Sequence, residues 1–223
     1  MRLASRLIHS EISLAGFVLV FVALTLSLQM WPASAALLRF SRTDYESGSW
    51  WQLLTSQWVH LSGLHAAVNV LALLLIASAC SRFVRTHDQI VGLAGGCIGV
   101  ALMLAFDPDC AYYAGTSGAL HGLLAGNALH MLWGREKKDW PSHAQAASGR
   151  SSALARGLAF VILGGLALKL WVQGRAQALA GESWLGLPVY HPAHEAGMAG
   201  GVILVLLVLA SGVLFAPPGQ KTG

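Results

Sequence analysis

Three short stretches carry side chains suited to acyl-transfer chemistry. "GTSGALH", residues 115 to 121, holds Ser117 in a glycine-flanked turn with His121 four residues on. "HAAVN", residues 65 to 69, holds His65 and Asn69 at the same spacing, and "AHEAG", residues 193 to 197, holds His194. A serine hydroxyl is a poor nucleophile at neutral pH. A histidine within hydrogen-bond reach takes its proton during attack and returns it to the leaving amine. The tetrahedral oxyanion then needs preformed donors, worth roughly 3–4 kcal/mol each. The amide of Asn69, the ring N–H of His65 and the backbone N–H of Ser117 are the candidates. A helix that opens at Ser117 also favours negative charge at its N-terminus. Gly115 and Gly118 allow a substrate backbone to approach closely.

The elements that must position these groups are membrane helices. Of 223 residues, 55% are hydrophobic and only 11% charged, against about a quarter charged in a soluble domain. Six apolar segments, near 12–30, 61–79, 89–106, 111–133, 157–173 and 193–215, are each of about the length that crosses the hydrocarbon core as a helix. A strand would leave its backbone groups unsatisfied in lipid. A cleaved leader at 12–30 is the weaker reading, since five further spans follow. The expectation is an all-α polytopic membrane protein, one domain over residues 1–223, in contact with the lipid bilayer. The net charge of +4 and pI near 9.2 fit basic membrane-flanking loops better than nucleic acid, and no nucleic-acid partner is expected.

Orientation follows from the basic residues. Arg2, Arg6, Arg82, Arg85, Arg135, Lys137, Lys138, Arg150, Arg156 and Lys221 fall on one side of the predicted spans; Arg39, Arg42 and Arg175 fall on the other, and Lys169 lies inside the fifth. The richer side is cytoplasmic by the positive-inside rule, so both termini are predicted inside. The second, fourth and sixth helices then all begin at the outer face. His65, Asn69, Ser117 and His194 are thereby predicted at one depth, just below the outer surface.

Taken singly, each residue has an ordinary use. Serines in membrane helices commonly bond their own backbone, and a lone His or Asn can bridge two helices. The small residues from Gly197 to Gly201 read as a close helix contact. The convergence of Ser, His, His and Asn at one depth on three helices is what favours a catalytic site.

At these residues the sequence resembles the rhomboid intramembrane serine proteases. The match lies in His60 and "HAAVN" in the second helix, "GTSG" in the fourth and "AHEAG" in the sixth, and it extends over nearly the whole chain. The resemblance implies a six-transmembrane-helix rhomboid-like bundle with Ser117 as nucleophile, His194 as base, and His65, Asn69 and Ser117 forming the oxyanion site. Gly115, Gly118, His121, His60 and Gly197 would support it. Trp51-Gln52 stands where many relatives carry Trp-Arg, and His121 stands where many carry an aromatic residue packed on the catalytic histidine. The runs "SGALHGLLAG" and "WQLLTSQWVHLSGLH" and the small size resemble the rhombosortase branch. That branch implies a bacterial inner-membrane enzyme, open to the periplasmic side, whose substrates are transmembrane proteins with a C-terminal Gly-Gly motif, an anchor helix and a basic tail. Hydrolysis and transfer to an amine both stay open.

Other classes fit less well. His194-Glu195 lacks the second histidine of a zincin motif. His60, His65, His121 and His194 lack an evident second-shell carboxylate for a metal, so neither metal nor cofactor is expected. All five aspartates lie in or at the ends of loops, against an intramembrane aspartyl protease. A catalytically silent rhomboid-like protein that binds client transmembrane helices is the alternative function, and both Ser117 and His194 argue against it. Glu195 points about 100° from His194 and is not expected to complete a triad. His121 is expected to pack on His194, with a ring hydrogen bond that fixes its tautomer; the plainer reading is a core histidine bonded to a backbone carbonyl. Cys80, Cys97 and Cys110 read as small apolar side chains. Trp50, Trp51 and Trp58 read as interface anchors. Trp184, Leu185 and Leu187 read as either a hydrophobic lid or an interfacial loop, and 139–156 as a flexible cytoplasmic connection.

Overall fold

The structure is a computed structural model that describes residues 13–133, 148–176 and 189–214. The lid segment with Trp184, Leu185 and Leu187 lies outside the described residues, as do Arg2, Arg6, Arg135, Lys137, Lys138 and Lys221. Six long helices dominate: α1 (Leu14–Met30), α2 (Gly63–Cys80), α3 (Thr86–Phe106), α4 (Ser117–Trp133), α5 (Ser148–Ala176) and α6 (Pro192–Leu214). Serine side chains fix two of the starts: Ser13 Oγ accepts the Gly16 N–H at 3.0 Å, and Ser62 Oγ accepts the His65 N–H at 3.1 Å. Among the described residues four helices are long and apolar enough to cross a membrane: Gly63–Cys80, Thr86–Phe106, Ala153–Gln173 and Pro192–Ser211. α1 is apolar but shorter. Large apolar side chains such as Leu19, Leu75, Leu102, Leu168 and Leu207 point outward, while Gln57, Gln89, Thr116 and Asn127 are buried. That inside-out distribution suits a multi-pass membrane protein whose outer solvent is lipid.

Two sequence expectations change. The connection expected to be flexible from 139 to 156 is helical from Ser148 onward, so α5 extends well beyond 157–173. Its small residues (Ser, Ala, Gly) carry little hydropathy, which hides a helix from a hydropathy reading, but they do not prevent one. The helix expected from 111 begins only at Ser117, because Tyr112–Tyr113 form a strand instead. That strand pairs antiparallel with Phe40–Ser41, Phe40 opposite Tyr113 and Ser41 opposite Tyr112.

The α1–α2 connection contains three short helical turns, Ser34–Leu38, Arg42–Glu46 and Gln52–Thr55. Gln52, buried, accepts the Ser41 N–H at 3.0 Å. Arg42 donates to the carbonyls of Leu104, at 2.7 Å, and Asp107, and its guanidinium lies over Phe40 and Tyr45. These two residues anchor the loop where the sequence lacks the Trp-Arg pair. Trp50 and Trp51 are exposed as expected for interface residues. Trp58 is not: it is half-buried and packs edge-on against Phe21, ring centroids 5.7 Å apart, at the edge of a cluster drawn from α1, α2, α3 and α4.

The centre of the bundle is a seam of α3, α4 and α6. α4 is buried along nearly its whole length. Glycines make the closeness possible. A Cβ at Gly122 would meet the Gly96 backbone and lie 2.6 Å from the Gly197 carbonyl. A Cβ at Gly197 would collide with the Gly118 backbone. α5 is different; it packs on α4 through Ala155, Ala159 and Leu166, and Gly157, Gly164 and Gly165 face open space.

This contrast sets a test. Gly197→Ala should destabilise the protein by about 1–3 kcal/mol through overpacking, read as a lower unfolding temperature in detergent. Gly164→Ala, with nothing within 4 Å, should be neutral or raise stability by up to about 1 kcal/mol through helix propensity. Equal effects of the two would show that the seam is not tightly set.

Candidate active site

The turn before α4 is built to present Ser117. Gly115 has φ +115°, a left-handed conformation that a side chain would strain, and a Cβ there would lie 2.8 Å from His65 Nε2. The turn is pinned to the α1–α2 loop: the Gly115 N–H donates to the Ser56 carbonyl at 2.9 Å, and Thr116 Oγ1 to the Gln57 carbonyl at 2.6 Å. Gln57 in turn donates to the Cys97 carbonyl of α3 at 3.0 Å. Ser117 is the first residue of α4, so its N–H has no partner within the helix.

α6 brings His194 to this point. The Gly118–Gly197 contact lies beside the serine and one turn below the histidine. It lets the two helix mouths approach until Ser117 Oγ and His194 Nε2 are 3.1 Å apart. His194 is buried, and among the described residues no group hydrogen-bonds its Nδ1. Glu195 is exposed, as its position one residue along the helix requires. Among the described residues the pair is therefore a serine and a histidine with no carboxylate bonded to the histidine.

His121 supplies a different support. Its ring stacks on that of His194, centroids 4.3 Å apart and planes 16° from parallel. Its Nδ1 lies 2.7 Å from the Ser117 carbonyl and its Nε2 lies 2.5 Å from Lys169 Nζ on α5. Both ring nitrogens are thus engaged away from His194. The expected packing is present, but the ring hydrogen bond goes to a backbone carbonyl and to Lys169, so it does not fix the tautomer of His194 directly. His191 closes another side, edge-on to His194 at 6.0 Å.

A cavity of about 100 Å³ opens over the pair, lined by His65, Ser117 and His194 together with Tyr113, Tyr190 and Arg39. Asn69 is buried and is not part of that lining; its amide donates to the His65 carbonyl at 3.0 Å. That bond uses one of its two N–H groups and leaves the other. His60 is buried edge-on to His65, ring centroids 5.0 Å apart. Burial, and then the neighbouring His65, pulls His60 down to about 4, so it is neutral at pH 7. On the rim, Tyr190 donates to Asp107 at 2.6 Å. Its phenol is pushed up by burial and by that carboxylate, and stays a donor.

Sequence reasoning did not give roles to Tyr113, Tyr190, Arg39 or Lys169. The first three lie in connections with no periodicity to mark them. Lys169 did carry a signal, a cation inside an apolar span, which needs a partner.

The chain also matches a known family. The model of the Rhomboid domain fits residues 47–211, a stretch that contains His60, His65, Asn69, Gly115, Ser117, Gly118, His121, Lys169, His194 and Gly197. No curated protein matches it. Three quarters of the chain thus fits one family description, and the protein belongs to the rhomboid family, whose members are generally intramembrane serine proteases.

Proposed function

We propose that this protein is an intramembrane serine endopeptidase working through a Ser117–His194 dyad. The observation that carries the reading is the 3.1 Å approach of Ser117 Oγ to His194 Nε2 in the lining of the cavity. In the first step His194 Nε2 takes the Ser117 proton as Oγ attacks the scissile carbonyl carbon. The oxyanion is received by the free N–H of Ser117, the His65 ring and the remaining N–H of Asn69. Collapse expels the amine, which receives the proton from His194, and the acyl group stays on Ser117. Water, or another amine, then attacks the ester with His194 again as base.

The same reading places the protein in a bacterial inner membrane with six spans, both termini cytoplasmic and the cavity open to the periplasm. α1 and α4 are counted as spans because 17 residues of helix extend about 26 Å, close to the hydrocarbon thickness of about 30 Å. The substrates are transmembrane proteins with a C-terminal anchor helix, cut near the outer interface at a Gly-Gly motif. The rhombosortase-like runs "SGALHGLLAG" and "WQLLTSQWVHLSGLH" support that choice. It is tested by comparing Gly-Gly-tailed membrane proteins, intact or cleaved, in cells with and without the gene; unchanged processing removes the substrate assignment.

Ser117→Ala should abolish cleavage by the purified protein while leaving its unfolding temperature unchanged. Wild-type turnover in that variant rules out Ser117 as nucleophile. Lack of turnover and of serine-directed phosphonate labelling in the wild type leaves a helix-binding protein instead. Asn69→Ala should lower kcat by roughly 10²-fold and KM little, since its donor matters most when charge develops. A change confined to KM would place Asn69 against bound substrate. His121→Ala should lose roughly tenfold more activity than His121→Phe, about the worth of one aromatic pair. Equal losses would deny the stack a role.

A further inference from the structure

We infer that Lys169 is a positioning residue for this site, holding His121 in one tautomer and so fixing the surface on which His194 rests. The inference builds on the serine-peptidase reading. It starts from a cation on an outward-facing helix. α5 packs on α4, and most of its described side chains are exposed. Lys169 is half-buried on it, and its Nζ reaches inward to His121 Nε2 at 2.5 Å. A cation in an apolar span is retained where it has a partner, and this is the partner.

The hydrogen-bond directions are determined by chemistry. The Ser117 carbonyl only accepts, so His121 Nδ1, 2.7 Å away, carries a hydrogen. An ammonium only donates, so His121 Nε2 presents its lone pair to Lys169. A ring that donates from Nδ1 and accepts at Nε2 is neutral and held at both ends. It cannot flip without breaking both bonds. Its face lies 4.3 Å from the ring of His194.

This matters when His194 takes the serine proton. The imidazolium then forms against a ring that is itself uncharged. A protonated His121 would place two like charges face to face. Lys169, whose ammonium occupies the His121 lone pair, keeps the second proton off that ring. Because Lys169 is on α5 and both other partners are on α4 and α6, it also ties α5 to the site.

The test uses the full chain in detergent, with histidine side chains labelled in ¹⁵N. In the wild type His121 should appear as the neutral Nδ1–H tautomer; the opposite tautomer or a doubly protonated ring overturns the inference, with no variant needed. In Lys169→Met the His121 signal should move toward a mixture of forms. The same variant should lower kcat roughly tenfold, the worth of one charge-assisted hydrogen bond, with KM within about twofold. Placed in a His121→Phe background, Lys169→Met should cost nothing further. An unchanged kcat, or the same loss in both backgrounds, shows that Lys169 only packs α5 and overturns the inference. An inactive wild type whose His121 still shows the Nδ1–H form instead defeats the peptidase reading and leaves the Lys169–His121 pair standing.

Discussion

The separation of α4 and α6 at their first turns governs the rest of the site. Ser117 and His194 sit on different helices, 77 residues apart in the chain, and neither can move toward the other without its helix. Their contact is set one residue along and one turn below, where Gly197 lies against the Gly118 backbone. Side chains at either position would push the helices apart by more than the tolerance of a hydrogen bond. In a membrane there is little hydrophobic drive between helices, so backbone proximity and the dispersion contacts it permits carry much of the association. α3 completes the seam with Gly92, Gly95, Gly96 and Gly99, which receive α4 and α6 in the same way. The small residues that form the core are thus also those that set the Ser117–His194 distance.

Polar groups buried within the bundle are arranged around that seam. The α1–α2 loop is tied down by Gln52 and Arg42, and it ties down the "GTSG" turn through the carbonyls of Ser56 and Gln57. Each bond supplies a partner for a group that lipid cannot hydrate. The result is a rigid lip over a small cavity, with Gly115 in a left-handed turn against the His65 ring. Rigidity of this kind is what oxyanion donors require, since a donor that must reorganise during the reaction contributes less.

Much of this was legible in the sequence because two signals coincided. Hydropathy placed the long helices, and the charge asymmetry put the starts of α2, α4 and α6 at one end, which was enough to predict that Ser117, His65, Asn69 and His194 lie together; the first, second and fourth line one cavity, and Asn69 is not in its lining. The limits of α5 were not legible: the run from Ser148 to Arg156 is rich in small residues and poor in hydropathy, yet it is helical. Tyr112–Tyr113 were assigned to a helix because their apolar character continues that of α4; only pairing with a distant strand, Phe40–Ser41, decides otherwise. Trp58 could not be separated from Trp50 and Trp51 by composition, because its position depends on Phe21 across the bundle. The stack of His121 on His194 followed from spacing along one helix. The third member, Lys169, required knowledge of how α5 lies on α4.

In the proposed dyad, the histidine is oriented without a carboxylate, which would be costly here. A carboxylate behind His194 Nδ1 would sit in an apolar bundle, and an ionised group there costs several kcal/mol before any pairing. The uncharged His121 ring stands there instead, with the Lys169 ammonium on its far nitrogen, and it restricts His194 by contact over its face. The drawback is that a face restrains tilt better than rotation within the plane, so Nε2 must be aimed by something else. In this structure the aim comes from the helix itself: Ala193 is fully buried, its carbonyl lies against Gly118, and Gly197 locks the next turn. Backbone packing sets the direction of His194, the stacked ring sets its plane, and the hydrogen bond to Ser117 follows from the two together.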